Sequence, residues 1–131
     1  MKLICYANPD DEAAQRARNV VHELVSKSDT EVCRSVANLS KRLRQPGNGF
    51  SLAVLLATSQ EDLRDVLALG NLLHDLRIIL VLPDRQKDTI ARALTLRPRF
   101  LTYADSDFTE LSAVLGKMLK TYCNDRTRWK E

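Results

Sequence analysis

At 131 residues, with 44% hydrophobic and 28% charged side chains, the chain reads as one ordinary globular domain, long enough to bury about two-thirds of its unfolded surface. A net charge of +3 implies no polyanion partner by itself, and 5% aromatic residues leave few platforms for stacking bases, which disfavours a nucleic-acid role. No segment approaches the roughly 18 apolar residues of a membrane span, and the apolar start LICYA is too short for a signal peptide, so the expectation is a cytoplasmic protein.

Lys2 to Ala7 reads as a first strand. Asn8-Pro9-Asp10-Asp11-Glu12 then opens a helix with a cap, a proline in the first turn, and acids beside the positive end of the dipole. Ala13, Ala17, Val20, Val21 and Leu24 follow at helical spacing, and the helix ends near Ser26 to Asp29. Thr30 to Val36 is more polar and alternates, as suits a strand at the edge of a sheet. Asn38 is the expected cap of a short second helix, with Leu39 and Leu43 one turn apart and Pro46-Gly47-Asn48-Gly49 as its stop. Its Lys41, Arg42 and Arg44 read as a solvated face, with an acidic partner as the sharper alternative.

Phe50 to Thr58, FSLAVLLAT, is the stretch that decides the fold class. Residues apolar on consecutive positions from Leu52 to Ala57 must be buried on both faces, which is the habit of a strand in a parallel sheet covered by helices on each side. Ser59 with Asp62, or Thr58 with Glu61, makes a capping-box-like start to a third helix. Leu63, Val66, Leu67 and Leu73 form its buried stripe; Leu69 and Leu72 widen it, either as more core-facing surface or as a subunit contact. His74 reads as a helix-end cation, without metal-ligand company.

Arg77 to Leu82, RIILVL, is a fourth strand stopped by Pro83-Asp84. The helix after it runs from about Gln86 or Asp88 to Arg97, with Ile90, Ala93 and Leu94 inward and Pro98 as the stop. Arg99 to Ala104 is a fifth strand, and Asp107 with Glu110 boxes the start of a last helix carrying Leu111, Val114, Leu115, Met118, Leu119 and Tyr122. Residues 1–123 thus form the domain. Asn124 to Glu131 loses the period and reads as a mobile basic tail, whose Trp129 either docks back or meets a partner.

Strands alternating with helices across short connections specify an α/β three-layer sandwich: a five-stranded parallel sheet of order 2-1-3-4-5 with helices on both faces. Ligands of such sheets sit at the carboxyl ends of the strands, where Asn8, Asp10, Thr58, Ser59, Asp84 and Asp105 are expected to collect. A rim this acidic repels phosphate and suits a cation or an amine. Thr58 and Ser59 have no histidine placed to activate them, so capping accounts for both. The chain holds no P-loop, GxGxxG, GxSxG or HExxH, and Cys5, Cys33 and Cys123 match no metal spacing, so they read as reduced thiols and no cofactor is expected.

Two stretches carry a resemblance. NLSKRLRQPGNGFSLAVLLA is similar to the second helix and phosphorylated third strand of response-regulator receiver domains, which have a flavodoxin-like fold. RIILVLPDRQKDTIARALTLRPRFLTYADSDFTELSAVLGKML resembles the same family's fourth strand to last helix, element for element. The family's phosphotransfer needs an Asp nucleophile after the third strand, an acidic pair for Mg²⁺, a hydroxyl after the fourth strand, and a Lys before Pro after the fifth. Here those positions fall on Ala57, on Asp10 and Asp11 in an apparent first helical turn, on Leu82-Pro83, and on Ser106-Asp107-Phe108-Thr109 without the Lys. Tyr103 stands where many receivers carry an aromatic switch residue.

The resemblance therefore implies a non-enzymatic, phosphorylation-independent regulatory or interaction module, a homodimer, with Arg92, Tyr103 and Trp129 as its candidate interaction surface. The alternative is a domain that binds a small polar ligand in the crevice. A nucleic-acid surface built from Lys41, Arg42 and Arg44 with the tail's Arg126, Arg128 and Lys130 is the weakest reading.

Overall fold

The computed structural model describes residues 2–7, 12–25, 30–45, 49–73, 76–104 and 108–118. Five parallel strands, β1 (Lys2–Tyr6), β2 (Thr30–Cys33), β3 (Phe50–Leu56), β4 (Arg77–Leu82) and β5 (Phe100–Tyr103), form one sheet of order β2-β1-β3-β4-β5. Between them lie α1 (Glu12–Leu24), α2 (Val36–Leu43), α3 (Gln60–Leu67), the single turn α4 (Gly70–Leu73) and α5 (Lys87–Leu94), and residues 109–118 are helical and form α6. This is the expected order.

Side-chain alternation divides each strand between two cores. Ala53, Leu55 and Ala57 join Ile4, Tyr6, Ile78, Leu80 and Leu82 under α2, α3, α4 and α5. Leu52, Val54 and Leu56 join Leu3, Cys5, Ile79 and Val81 under α1 and α6. Every residue of β3 from Leu52 to Leu56 is fully buried, as the consecutive apolar run requires. Gly49, at φ 77, takes the left-handed turn into β3 that a side chain would resist.

Several helices differ from their sequence-based outlines. α1 buries Ala14, Ala17 and Val21, whereas Leu24, near its carboxyl end, is exposed. β2 ends at Cys33, and Ser35, not Asn38, caps α2: the Ser35 Oγ accepts the Asn38 N–H at 3.2 Å. The third helix is two, broken at Ala68 and Leu69, which turns Leu69 into the core and leaves Leu72 half-buried. α5 is shorter than expected and buries Thr89 and Ala93; Leu94, expected inward, is 54% exposed. The Asn8 cap, His74, Asp107, Cys123 and the 124–131 tail lie outside the described residues.

Candidate functional site

At the carboxyl ends of β1, β3 and β4 lies a polar cluster built from Tyr6 at the end of β1, from residues 58–62 after β3, and from Asp84 and Thr89 after β4. Ala57, just past β3, is fully buried and its N–H donates to the Val81 carbonyl at 2.9 Å, so the strand continues straight to the crevice floor. The chain then turns at Thr58 and Ser59. The Ser59 Oγ caps α3 by accepting the Asp62 N–H at 3.1 Å, which is the Ser59–Asp62 version of the expected box. The Thr58 hydroxyl donates to Asp62 Oδ2 at 3.3 Å, and the Tyr6 hydroxyl, from the end of β1, donates to Asp62 Oδ1 at 3.2 Å. Burial first, and the Asp62 carboxylate second, push the Tyr6 phenol up to about 12.

On the β4 side, Gln60 is the hub. Its amide nitrogen donates to Asp84 Oδ2 at 2.7 Å and to the buried Thr89 Oγ1 at 3.0 Å, while its carbonyl oxygen accepts from Arg92. Asp84 Oδ1 accepts the Gln86 N–H at 2.9 Å. That backbone bond, ahead of the Thr89 and Gln60 side chains, holds the Asp84 carboxyl below its ordinary range.

The described part of the expected ligand crevice is thus Thr58, Ser59 and Asp84, and each is engaged within the protein: Thr58 on Asp62, Ser59 on the α3 terminus, Asp84 on Gln60 and Gln86. Asn8, Asp10 and Asp105 lie outside the described residues, and no group of three or more potential metal ligands occurs among the described ones. Chemically, the cluster ties the β3–α3 and β4–α5 loops together. Tyr6, Gln60 and Asp62 carry that link, and sequence reasoning missed Tyr6 and Gln60 because their partners are far away in the chain.

Of the candidate interaction surface, Tyr103 is half-buried at the end of β5, with the Arg85 guanidinium 4.3 Å from its ring centroid. Arg92 is exposed on α5 but turned to Gln60, and Trp129 lies outside the described residues. Leu94, which the sequence places inward, is instead the most exposed large apolar side chain described, on the same helix as Arg92. Cys5 and Cys33 are buried thiols, as expected, and among the described residues no helix is long and apolar enough to cross a membrane.

Comparison with known proteins follows the same lines. No protein-family model matches the sequence, and no curated protein matches it. Among solved structures, the chain is similar to a two-component response regulator from Legionella pneumophila, at a TM-score of 0.64 and 16% identity, over 92% of this chain and 99% of that one. It is also similar to a pilus assembly-related protein from Burkholderia pseudomallei, at a TM-score of 0.60 and 20% identity, over 92% of this chain and 88% of that one. At such identities the likeness speaks for architecture: the chain has the receiver-domain fold, a flavodoxin-like sheet of order 2-1-3-4-5.

Proposed function

We propose that the chain is a non-enzymatic, receiver-like regulatory module of the cytoplasm that acts through protein contacts, self-association among them, and independently of phosphorylation. The observation that carries this reading is Ala57: where the sheet's central strand ends, the chain offers a methyl group, which cannot accept a phosphoryl group. Leu82-Pro83 likewise supplies no hydroxyl at the end of β4. The hydrogen bonds of Thr58, Asp62, Gln60 and Asp84 to one another's elements support a crevice serving as a structural tie. The structural neighbours are described as a response regulator and a pilus assembly-related protein, and a role of that regulatory or assembly kind is what we carry over to this chain.

Incubation with acetyl phosphate and Mg²⁺, followed by intact-mass measurement, tests the reading. The expected result is an unchanged mass. A hydroxylamine-labile phosphoryl adduct on a carboxylate overturns it. Sedimentation should show a species heavier than one chain whether or not the phosphodonor is present, and a monomer at all concentrations removes the self-association.

A further inference from the structure

The crevice is not the only polar hollow in the molecule. At the opposite edge of the sheet, a cleft of about 300 Å³ opens between β2 and α2, lined by Glu31, Val32 and Cys33 from the strand and Asn38, Lys41, Arg42 and Gln45 from the helix. Among the described residues β2 pairs with β1 alone, which leaves its other side as the edge of the sheet. The Cys33 carbonyl accepts the Ala7 N–H at 3.1 Å, which turns the Cys33 peptide groups towards β1. Successive residues of a strand point their N–H and C=O to opposite sides, so those of Val32 point outward. The Val32 side chain packs with the core under α1 and α6, and Val32 therefore meets the cleft through its main chain.

The helix wall is basic and braced. Arg42 pairs with Glu31 at 2.6 Å, bonds Gln45, and lies 6.0 Å from the Phe50 ring centroid, while its buried Nε has no acceptor. Lys41 is exposed on the cleft and has no ion pair among the described residues. Across residues 30–45 stand Arg34, Lys41, Arg42 and Arg44 against one acid, Glu31, which Arg42 already holds. The site is short of anionic acceptors and offers a backbone donor and acceptor beside them.

We propose that the outer edge of β2, with this cleft, binds an extended peptide segment of a partner protein bearing an aspartate or glutamate. The segment pairs with the Val32 N–H and C=O as an added strand and sets its carboxylate against Lys41. Charge complementarity selects this occupant: a second copy would bring the same excess of cations to the contact, whereas an acidic strand supplies what the wall lacks. The proposal rests on reading the chain as an interaction module and names where one partner sits and what it presents.

The test pans a random decapeptide display library on the full chain, then measures a selected peptide by fluorescence anisotropy. Enriched sequences should carry an acidic residue among β-branched or aromatic neighbours. Lys41→Glu should weaken binding by about tenfold or more, which is the loss of about 1.4 kcal/mol. Changing the peptide's acid to lysine should restore binding to the Lys41→Glu chain, a rescue that mere damage to the fold cannot imitate. Amide exchange at Val32 should slow on binding. The proposal is overturned if no acidic peptides are enriched, if the binders ignore Lys41→Glu, or if Val32 exchange is unchanged. It is equally overturned if citrate or a dT20 oligonucleotide protects Val32 as well as the peptide does. A chain that accepts phosphate yet binds the peptide would sink the phosphorylation-independent reading and leave this site standing.

Discussion

The Tyr6 hydroxyl donates to Asp62 Oδ1 while the Thr58 hydroxyl donates to Oδ2, so one carboxylate on the first turn of α3 fastens the ends of two neighbouring strands. The Tyr6 ring is 3% exposed, and its replacement by phenylalanine keeps the packing and removes only the donor. Water reaches the half-buried Asp62, so Tyr6→Phe should cost about 1 kcal/mol in urea unfolding, and Thr58→Val a similar amount. Because both bonds end on Asp62, the double variant should lose less or more than the sum of the singles. Strict additivity would mean the two hydroxyls do not share a partner in solution.

Gln60 bears more than either hydroxyl. Across the gap between α3 and α5 it bonds the surface carboxylate Asp84, the buried Thr89 hydroxyl and the Arg92 guanidinium. Gln60→Ala should cost about 1–2 kcal/mol, since Thr89, only 1% exposed, is left without its donor. The loss should be local as well as global, and amide exchange in residues 84–89 should quicken. Gln60→Glu should be worse still near neutral pH, because it sets a second carboxylate beside Asp84. Exchange in that loop unmoved by either substitution would show that the tie is not what holds it.

Much of this architecture was legible because it rests on local apolar pattern. FSLAVLLAT and RIILVL are too short for helices and too uniformly apolar for a sheet with a wet face, so a doubly covered parallel sheet followed, and with it the crevice position. Ser59 with Asp62 was legible too, as a cap and a first-turn acid three residues apart. Gln60 and Tyr6 were not, because their partners lie 24 to 56 residues away and nothing in their neighbourhood marks a hub. Leu94 was misplaced because Ile90, Ala93 and Leu94 form a plausible stripe, whereas the helix is rotated so that Thr89 and Ala93 face the sheet.

The start of α2 failed for a different reason. Ser35 and Asn38 are both good caps, three residues apart, and Val36 fits either the end of an alternating strand or the first position of a helix. In the structure Val36 packs on the core from the helix, and Ser35 is the cap. Ser35→Ala should therefore destabilise the protein by about 1 kcal/mol, and Asn38→Ala, at an exposed helical position, should change stability by no more than about 0.5 kcal/mol. The opposite ranking in urea unfolding would return the cap to Asn38.

Ala57 provides a test of how closed the end of β3 is. It is fully buried among apolar neighbours, so Ala57→Asp places a carboxylate where its charged form is poorly solvated, at a cost of several kcal/mol near neutral pH. The buried carboxyl should titrate above its ordinary range, so the penalty belongs to the charged form and shrinks as pH falls and the group protonates in both states. Ala57→Asn, similar in size and without a titration, should carry a penalty that does not change between about pH 4 and pH 7. An Ala57→Asp chain as stable as the parent at neutral pH would show that this position opens to solvent.

At the alkaline end, the two buried thiols and Tyr6 set the limit. Burial, then Cys33, pushes Cys5 up from 9.0 to about 12; burial, then Glu31, pushes Cys33 to about 11; burial, then Asp62, pushes Tyr6 from 10.0 to about 12. All three are raised in the folded state, so their neutral forms stabilise it fully below the unfolded values, and that contribution drains away as pH climbs towards the folded ones. Stability in urea with a reductant present should thus hold to about pH 8 and then fall by up to about 1.4 kcal/mol per pH unit for each group that ionises only when unfolded. Cys5 should dominate, because it is completely buried while Cys33 and Tyr6 keep some solvent screening around their polar atoms. Cys5→Ala should lower stability at neutral pH through the lost packing and flatten the alkaline slope, bringing the two curves together above pH 9. Parallel curves would mean that the Cys5 thiol ionises as readily inside the sheet as outside it, and that the strand edges around β1 breathe enough to let hydroxide in.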